Sequence, residues 1–162
     1  MRKLVCALCA LIVITANAKV KLPAFFSDNM VLQQQTECNL WGWTEPDKKV
    51  IVHTPWDKKS HRATARKDGR FSVTIQTPKA GGPYEIWFQD GDVVKLSNVM
   101  IGEVWICSGQ SNMEMLMKGY KAQPVEGAAE ELLSCNDDGL RLFYGKRAAR
   151  LEPQEDIAGT WQ

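Results

Sequence analysis

The run Val99-Met100-Ile101-Gly102-Glu103-Val104-Trp105-Ile106-Cys107 is apolar and rich in β-branched and aromatic side chains. It stops at Ser108-Gly109-Gln110-Ser111-Asn112 and gives way to the helix-compatible Met113-Glu114-Met115-Leu116-Met117. This order predicts a buried strand, a tight turn and a helix start, with a hydroxyl in the turn. Two readings follow. Ser111 or Asn112 caps the helix, as both residue types commonly do. Alternatively, the turn presents Ser111 at the C-terminal edge of a strand, where ligands gather in α/β sheets and backbone N–H groups face developing negative charge.

Upstream of this stretch the pattern is all-β. Short runs of β-branched and aromatic residues recur at 39–43, 50–53, 71–75, 84–88 and 93–96. They are separated by Pro46-Asp47, Asp68-Gly69, Gly81-Gly82-Pro83 and Asp90-Gly91. Phe71-Ser72-Val73-Thr74-Ile75 alternates strictly, as a sheet with one wet face requires. Several short strands at this spacing predict a sandwich-like unit over residues 19–98. Downstream, Val125, Ala128, Ala129, Leu132 and Leu133 fall at helical spacing, Asn136-Asp137-Asp138-Gly139 ends that helix, and Leu140–Tyr144 reads as another strand. Strand, helix, strand predicts the beginning of a parallel α/β sheet over 99–162. One helix would leave most of such a sheet uncovered, so this part is expected to be a truncated domain.

Residues 1–18 have the form of an export signal: Arg2 and Lys3, an apolar run from Leu4 to Ile14, and the small-x-small site Ala16-Asn17-Ala18. The run is too short to span a bilayer, which takes about 20 residues. Cys6 and Cys9 lack a lipoprotein cleavage box, so no membrane anchor is expected. The chain is expected to be exported, and periplasmic or extracellular if bacterial. Without Arg2 and Lys3, 18 basic residues face 19 acidic ones, a net charge of −1. That balance gives no reason to expect nucleic acid as a partner. Three cysteines remain; the odd number argues against a disulfide framework, Cys107 is expected to be a small buried hydrophobe, and a Cys38–Cys135 bridge stays open.

Candidate ligand-binding side chains are few. Trp41, Trp43 and Trp87 fall in strands, where core packing is the commoner role. Trp56, in the loop Thr54-Pro55-Trp56-Asp57-Lys58-Lys59, is the tryptophan expected to be exposed and available to a sugar ring. His53 and His61 flank a turn and could face each other across a hairpin as half of a metal site. With no third ligand nearby they read as exposed strand histidines, so no metal is expected.

Gly102-Glu103-Val104-Trp105-Ile106-Cys107-Ser108-Gly109-Gln110-Ser111-Asn112-Met113-Glu114-Met115 resembles the signature of the sialate O-acetylesterase family, within the SGNH-hydrolase superfamily. The resemblance extends to Leu22–Gln33, Trp41-Gly42-Trp43, Asp68-Gly69-Arg70-Phe71 and Ala80-Gly81-Gly82-Pro83-Tyr84. It implies a β-rich accessory domain beside a flavodoxin-like, three-layer α/β hydrolase domain. It further implies Ser111 as nucleophile, the Ser111 N–H as an oxyanion donor, Gly109, Gln110 and Asn112 as motif neighbours, and no cofactor. Gln110 stands where many superfamily members carry aspartate, a departure this family shares. The substrate implied is an acetylated sialic acid or another O-acetylated glycan.

Serine ester hydrolysis needs a nucleophile, a base, a group orienting that base and an oxyanion hole. Of these the sequence supplies Ser111. The further glycine and asparagine donors of the superfamily have no match, and its histidine and aspartate are expected beyond Gln162. His53 and His61, both in the β-unit, are not partners for Ser111. The expectation is therefore an esterase fragment that is nearly inactive alone. The alternatives are an acetylxylan-type esterase, a non-catalytic carbohydrate-binding β-module using Trp56, and an interaction domain whose hydrolase tail does nothing.

Overall fold

The computed structural model describes residues 19–162; the export signal expected at 1–18 lies outside the described residues. Seven strands build the first part: β1 (Val31–Gln33), β2 (Glu37–Trp43), β3 (Lys49–Thr54), β4 (Lys59–Thr64), β5 (Arg70–Gln76), β6 (Gly81–Gln89) and β7 (Val93–Gly102). Five of them form a sheet in the order β1-β7-β6-β3-β4, and β2 pairs with β5 in a second sheet. All these pairings are antiparallel except β1 with β7, which run parallel.

The alternation in β5 does what its pattern requires: Phe71, Val73 and Ile75 are buried while Ser72, Thr74 and Gln76 are exposed. These side chains and Leu40 of β2 share one core with Val50, Val52, Ile86, Phe88, Leu96 and Val99 of the larger sheet. Phe71 meets Phe88 across it, with ring centroids 6.4 Å apart. The part is mostly β and sandwich-like. Gly42 shows how closely the N-terminal segment is laid on β2. Lys21 and Trp43 exchange two backbone hydrogen bonds of 2.8 Å, and a Cβ on Gly42 would sit 2.4 Å from the Lys21 carbonyl oxygen.

Past β7 three expectations are corrected. Val99–Gly102, read as the opening of the second unit, are the end of β7 and belong to the first sheet. The run Val104–Cys107 is not a strand; Trp105 is 83% and Ile106 is 93% exposed. The reason is a lack of partners: β1 ends at Gln33, opposite Gly102, and β6 begins at Gly81, opposite Ile101. No ladder remains for residues beyond Gly102 to join. Cys107 is accordingly exposed, not buried.

The strand expected over Leu140–Tyr144 is β8 (Phe143–Gly145), and it pairs antiparallel with β9 (Gly159–Trp161). It does not extend β7 in parallel, because β7 is flanked on both edges by β1 and β6. Between β7 and β8 in the chain lie α1 (Ser111–Glu114) and α2 (Ala128–Ser134); the helix expected over Val125–Cys135 is shorter because Gly127, at φ +74°, starts it. Only Ala128 of α2 is buried. Among the described residues no helix is long and apolar enough to cross a membrane.

Candidate functional site

The site is built outward from the end of β7. Glu103, the first residue past the strand, is held by two side chains from the end of β1: Gln33 Nε2 donates to Oε2 at 3.0 Å and Gln34 Nε2 to Oε1 at 2.6 Å. The amide oxygens work in the opposite sense, Gln33 Oε1 accepting from the Val104 N–H and Gln34 Oε1 from the Ala80 N–H, each at 2.8 Å. Hydrogen bonds from Gln33 and then Gln34 keep the Glu103 carboxyl below its ordinary range. This clasp fixes the direction in which the chain leaves the sheet toward Ser111. Gln33 and Glu103 both fall within the motif stretches, but their pairing depends on the parallel β1–β7 register, which no local pattern displays.

Ser111 is the first residue of α1 and is exposed. The residue at the helix cap is Gln110, and no side chain caps the helix, so neither Ser111 nor Asn112 plays the capping role. The Ser111 side chain and N–H have no hydrogen-bond partner among the described residues. Gly109 leaves room for Met113: a Cβ there would lie 2.6 Å from Met113 Cγ, so the exposed methionine would have to turn aside. Glu114 closes the short helix against Arg147 through a 2.7 Å ion pair. The chemistry on offer is an unengaged hydroxyl beside an unengaged N–H, presented to solvent.

No histidine reaches it. His53 pairs with Ser60 and Val52 with His61, so the register places the two histidines on opposite faces of the hairpin, not facing each other. His53 Nδ1 lies 3.0 Å from Ser60 Oγ, on the face that carries Trp87. His61 Nε2 lies 3.1 Å from both Asp57 Oδ2 and Thr54 Oγ1, while the Thr54 hydroxyl donates to Asp57 Oδ1 at 2.6 Å. Burial pushes the Asp57 carboxyl up, but bonds from Thr54, the Lys59 N–H and His61 outweigh it and hold the carboxyl below the ordinary value. Among the described residues no group of three or more His, Cys, Asp or Glu is placed to hold a metal.

Trp56 is likewise not the free platform its loop suggests. It packs partly buried on the core, meets Tyr84 edge-on at 5.3 Å, and donates from Nε1 to the Gln76 carbonyl at 2.9 Å. The turn folds back over the sheet because the indole has both an apolar surface and a backbone acceptor there. The cysteines among the described residues are free: Cys38 is half-buried, with burial raising its thiol pKa, and Cys135 is exposed. No Cys38–Cys135 bridge forms.

The segment after α2 is tied to the β-unit by polar anchors. Arg141 Nη1 donates to the Asn98 and Asn29 carbonyls at 2.5 and 3.0 Å, and Nη2 donates to Asn98 Oδ1 at 3.0 Å. Trp161 Nε1 donates to the Phe25 carbonyl at 2.8 Å, Asp156 Oδ1 accepts from the Ala24 N–H at 2.8 Å, and Glu155 pairs with Arg70. A groove of about 950 Å³ opens between this segment and the Phe25–Trp41 face. Ser111 does not line it.

Comparison with known proteins finds similarity to carbohydrate acetylesterases. No family model matches the chain. A crystal structure of a carbohydrate acetylesterase from Xanthomonas citri superposes with a TM-score of 0.78 at 29% identity, covering 89% of this chain and 32% of that one. The sialate O-acetylesterases of Homo sapiens and Pongo abelii are each 30% identical over 112 residues, 62% of this chain and 21% of theirs. The Mus musculus enzyme is 28% identical over 111 residues. The chain is thus sialate O-acetylesterase-like in a partial match, and it spans about a fifth of the length of these curated relatives.

Proposed function

We propose that the chain carries the accessory β-unit (19–102) and the nucleophile-bearing start (103–162) of an exported carbohydrate O-acetylesterase of α/β, SGNH type, with Ser111 as nucleophile. Ser111 Oγ attacks the acetyl carbonyl carbon as a base takes its proton, and the oxyanion forms beside the Ser111 N–H. The C–O bond to the sugar then breaks, the sugar leaves as the alcohol with the proton returned, and water releases acetate from the acetyl-serine. The observation that carries the reading is Ser111 itself, an exposed hydroxyl without a capping bond in a segment steered by the Glu103 clasp. The partial match to acetylesterases supports it. We assign the substrate as an O-acetylated sialic acid, with acetylated xylan as the competing substrate.

His53 and His61 are engaged elsewhere, so the base and its orienting carboxylate are assigned to the length of the relatives that this chain does not span. Loss of a triad member costs on the order of 10⁴-fold in rate, so turnover of acetylated sialic acid by the 162 residues alone is expected to be barely above background. Brisk turnover that disappears in Ser111→Ala would refute the assignment of the base. The nucleophile is tested in a protein extended to the full length of the relatives, where the base is present, with a fluorophosphonate and peptide mapping by mass spectrometry. An adduct confined to Ser111 and absent from Ser111→Ala supports the role; no adduct, or one on another serine, overturns it.

A further inference from the structure

Two grooves meet at Trp41 and Arg70 on the outer face of the β2–β5 sheet. The larger, of about 950 Å³, runs toward the 146–158 segment, and a smaller one of about 370 Å³ runs toward Arg66 and Ser72. Alternation places Trp41 on this face, because Leu40 and Gly42 point into the core. The Arg70 guanidinium lies over the indole, 5.5 Å from its ring centroid, and also pairs with Glu155. Phe25 supplies further aromatic wall in the larger groove, and Ser72 an exposed hydroxyl in the smaller.

The charges around this junction are unevenly satisfied. Glu155 is taken by Arg70, Arg147 by Glu114, and Asp156 Oδ1 by the Ala24 and Ile157 N–H groups. Arg66, Lys146 and Arg150 line the grooves with no acidic partner among the described residues, against two acids beside them, Glu152 and Asp156, that have no basic partner there. The strip therefore combines an aromatic wall with an excess of unneutralised cations, in cavities of the size that hold sugar units. We propose that these two grooves form one binding strip for a carboxylate-bearing glycan, with pyranose rings against Trp41 and Phe25 and carboxylates at Arg66, Lys146 and Arg150. Ser111 does not line the strip, which would hold a chain of the polymer by its unmodified units. The proposal rests on the carbohydrate reading above for the choice of a sugar over another anion.

The test titrates the protein calorimetrically with a sialic acid oligomer, a neutral xylo-oligosaccharide and a polyglutamate peptide of matched charge. The expected result is saturable binding of the sialic acid oligomer, weaker at higher salt. The triple variant Arg66→Glu, Lys146→Glu, Arg150→Glu should weaken it about tenfold or more, and Ser111→Ala should leave it unchanged. Three exposed substitutions are not expected to unfold the chain, which an unchanged circular dichroism spectrum checks. Trp41→Leu provides an independent variant for the ring contact and should also weaken binding. Equal binding of polyglutamate, equal binding of the neutral oligomer, no binding, or no effect of the charge reversals would each overturn the proposal. Binding that persists while Ser111 fails to form its adduct would uphold the strip and refute the esterase reading; the reverse pair of results would do the opposite.

Discussion

Replacing Arg141 with methionine tests whether the segment after α2 is positioned by its own fold or by the β-unit. The substitution keeps an apolar stem and removes the three donated hydrogen bonds to the Asn29 and Asn98 carbonyls and Asn98 Oδ1. A hydrogen bond from a charged donor contributes about 1.5–3 kcal/mol when desolvated. Arg141 is half-buried but its acceptors Asn29 and Asn98 are exposed, so water replaces much of each bond and the total for the three is expected to be no more than about 2 kcal/mol. That corresponds to at most roughly a thirtyfold rise in the local opening constant. Amide hydrogen exchange reads it at Leu142 and Gln162, whose N–H groups donate to each other's carbonyls at 2.9 and 2.8 Å. Exchange there should accelerate by up to that factor, while Leu40 and Val73 in the core keep their protection. Unchanged rates at Leu142 and Gln162 would show that β8–β9 stands without the anchor. Equal acceleration at Leu40 and Val73 would show that the whole chain unfolds as one unit.

Gly42→Ala should destabilise the β-unit by about 1–3 kcal/mol in urea unfolding, because its Cβ drives the Lys21 carbonyl away and breaks the double bridge to Trp43; a change near zero would refute the close approach. The β3–β4 hairpin should depend on pH through Asp57. Its carboxyl is lowered from 3.8 in the folded chain, so its contribution is complete above that value and lost as pH falls through the lower folded one. Amide exchange across the hairpin below about pH 4 should therefore accelerate in the wild type, and Asp57→Asn should flatten that dependence. An identical profile in the variant would place the acid sensitivity elsewhere.

The strands were legible because alternation reports directly on a half-buried sheet, as Phe71–Ile75 shows. The same logic misled at Val104–Cys107. An apolar β-branched run says that a strand is affordable to the chain, not that neighbouring strands reach far enough to pair with it. His53 and His61 illustrate a finer limit, since facing or opposed placement turns on a single residue of register. Trp56 reads as loop from its prolyl and charged neighbours; what seats it is a carbonyl at Gln76, twenty residues away. At the candidate site the serine motif was conspicuous, but the Gln33–Gln34–Glu103 clasp was hidden because it joins residues distant in sequence.

That distance has a kinetic consequence. Gln33 and Glu103 are 70 residues apart along the chain, and β1 joins β7 in parallel, a geometry no hairpin can nucleate. The hairpin β3–β4 and the antiparallel pair β6–β7 close over short loops, so they can assemble before β1 arrives. The clasp on Glu103 therefore closes only when β1 docks. A partly folded chain can hold its hairpins while the start of the serine-bearing segment is still unfastened from the sheet.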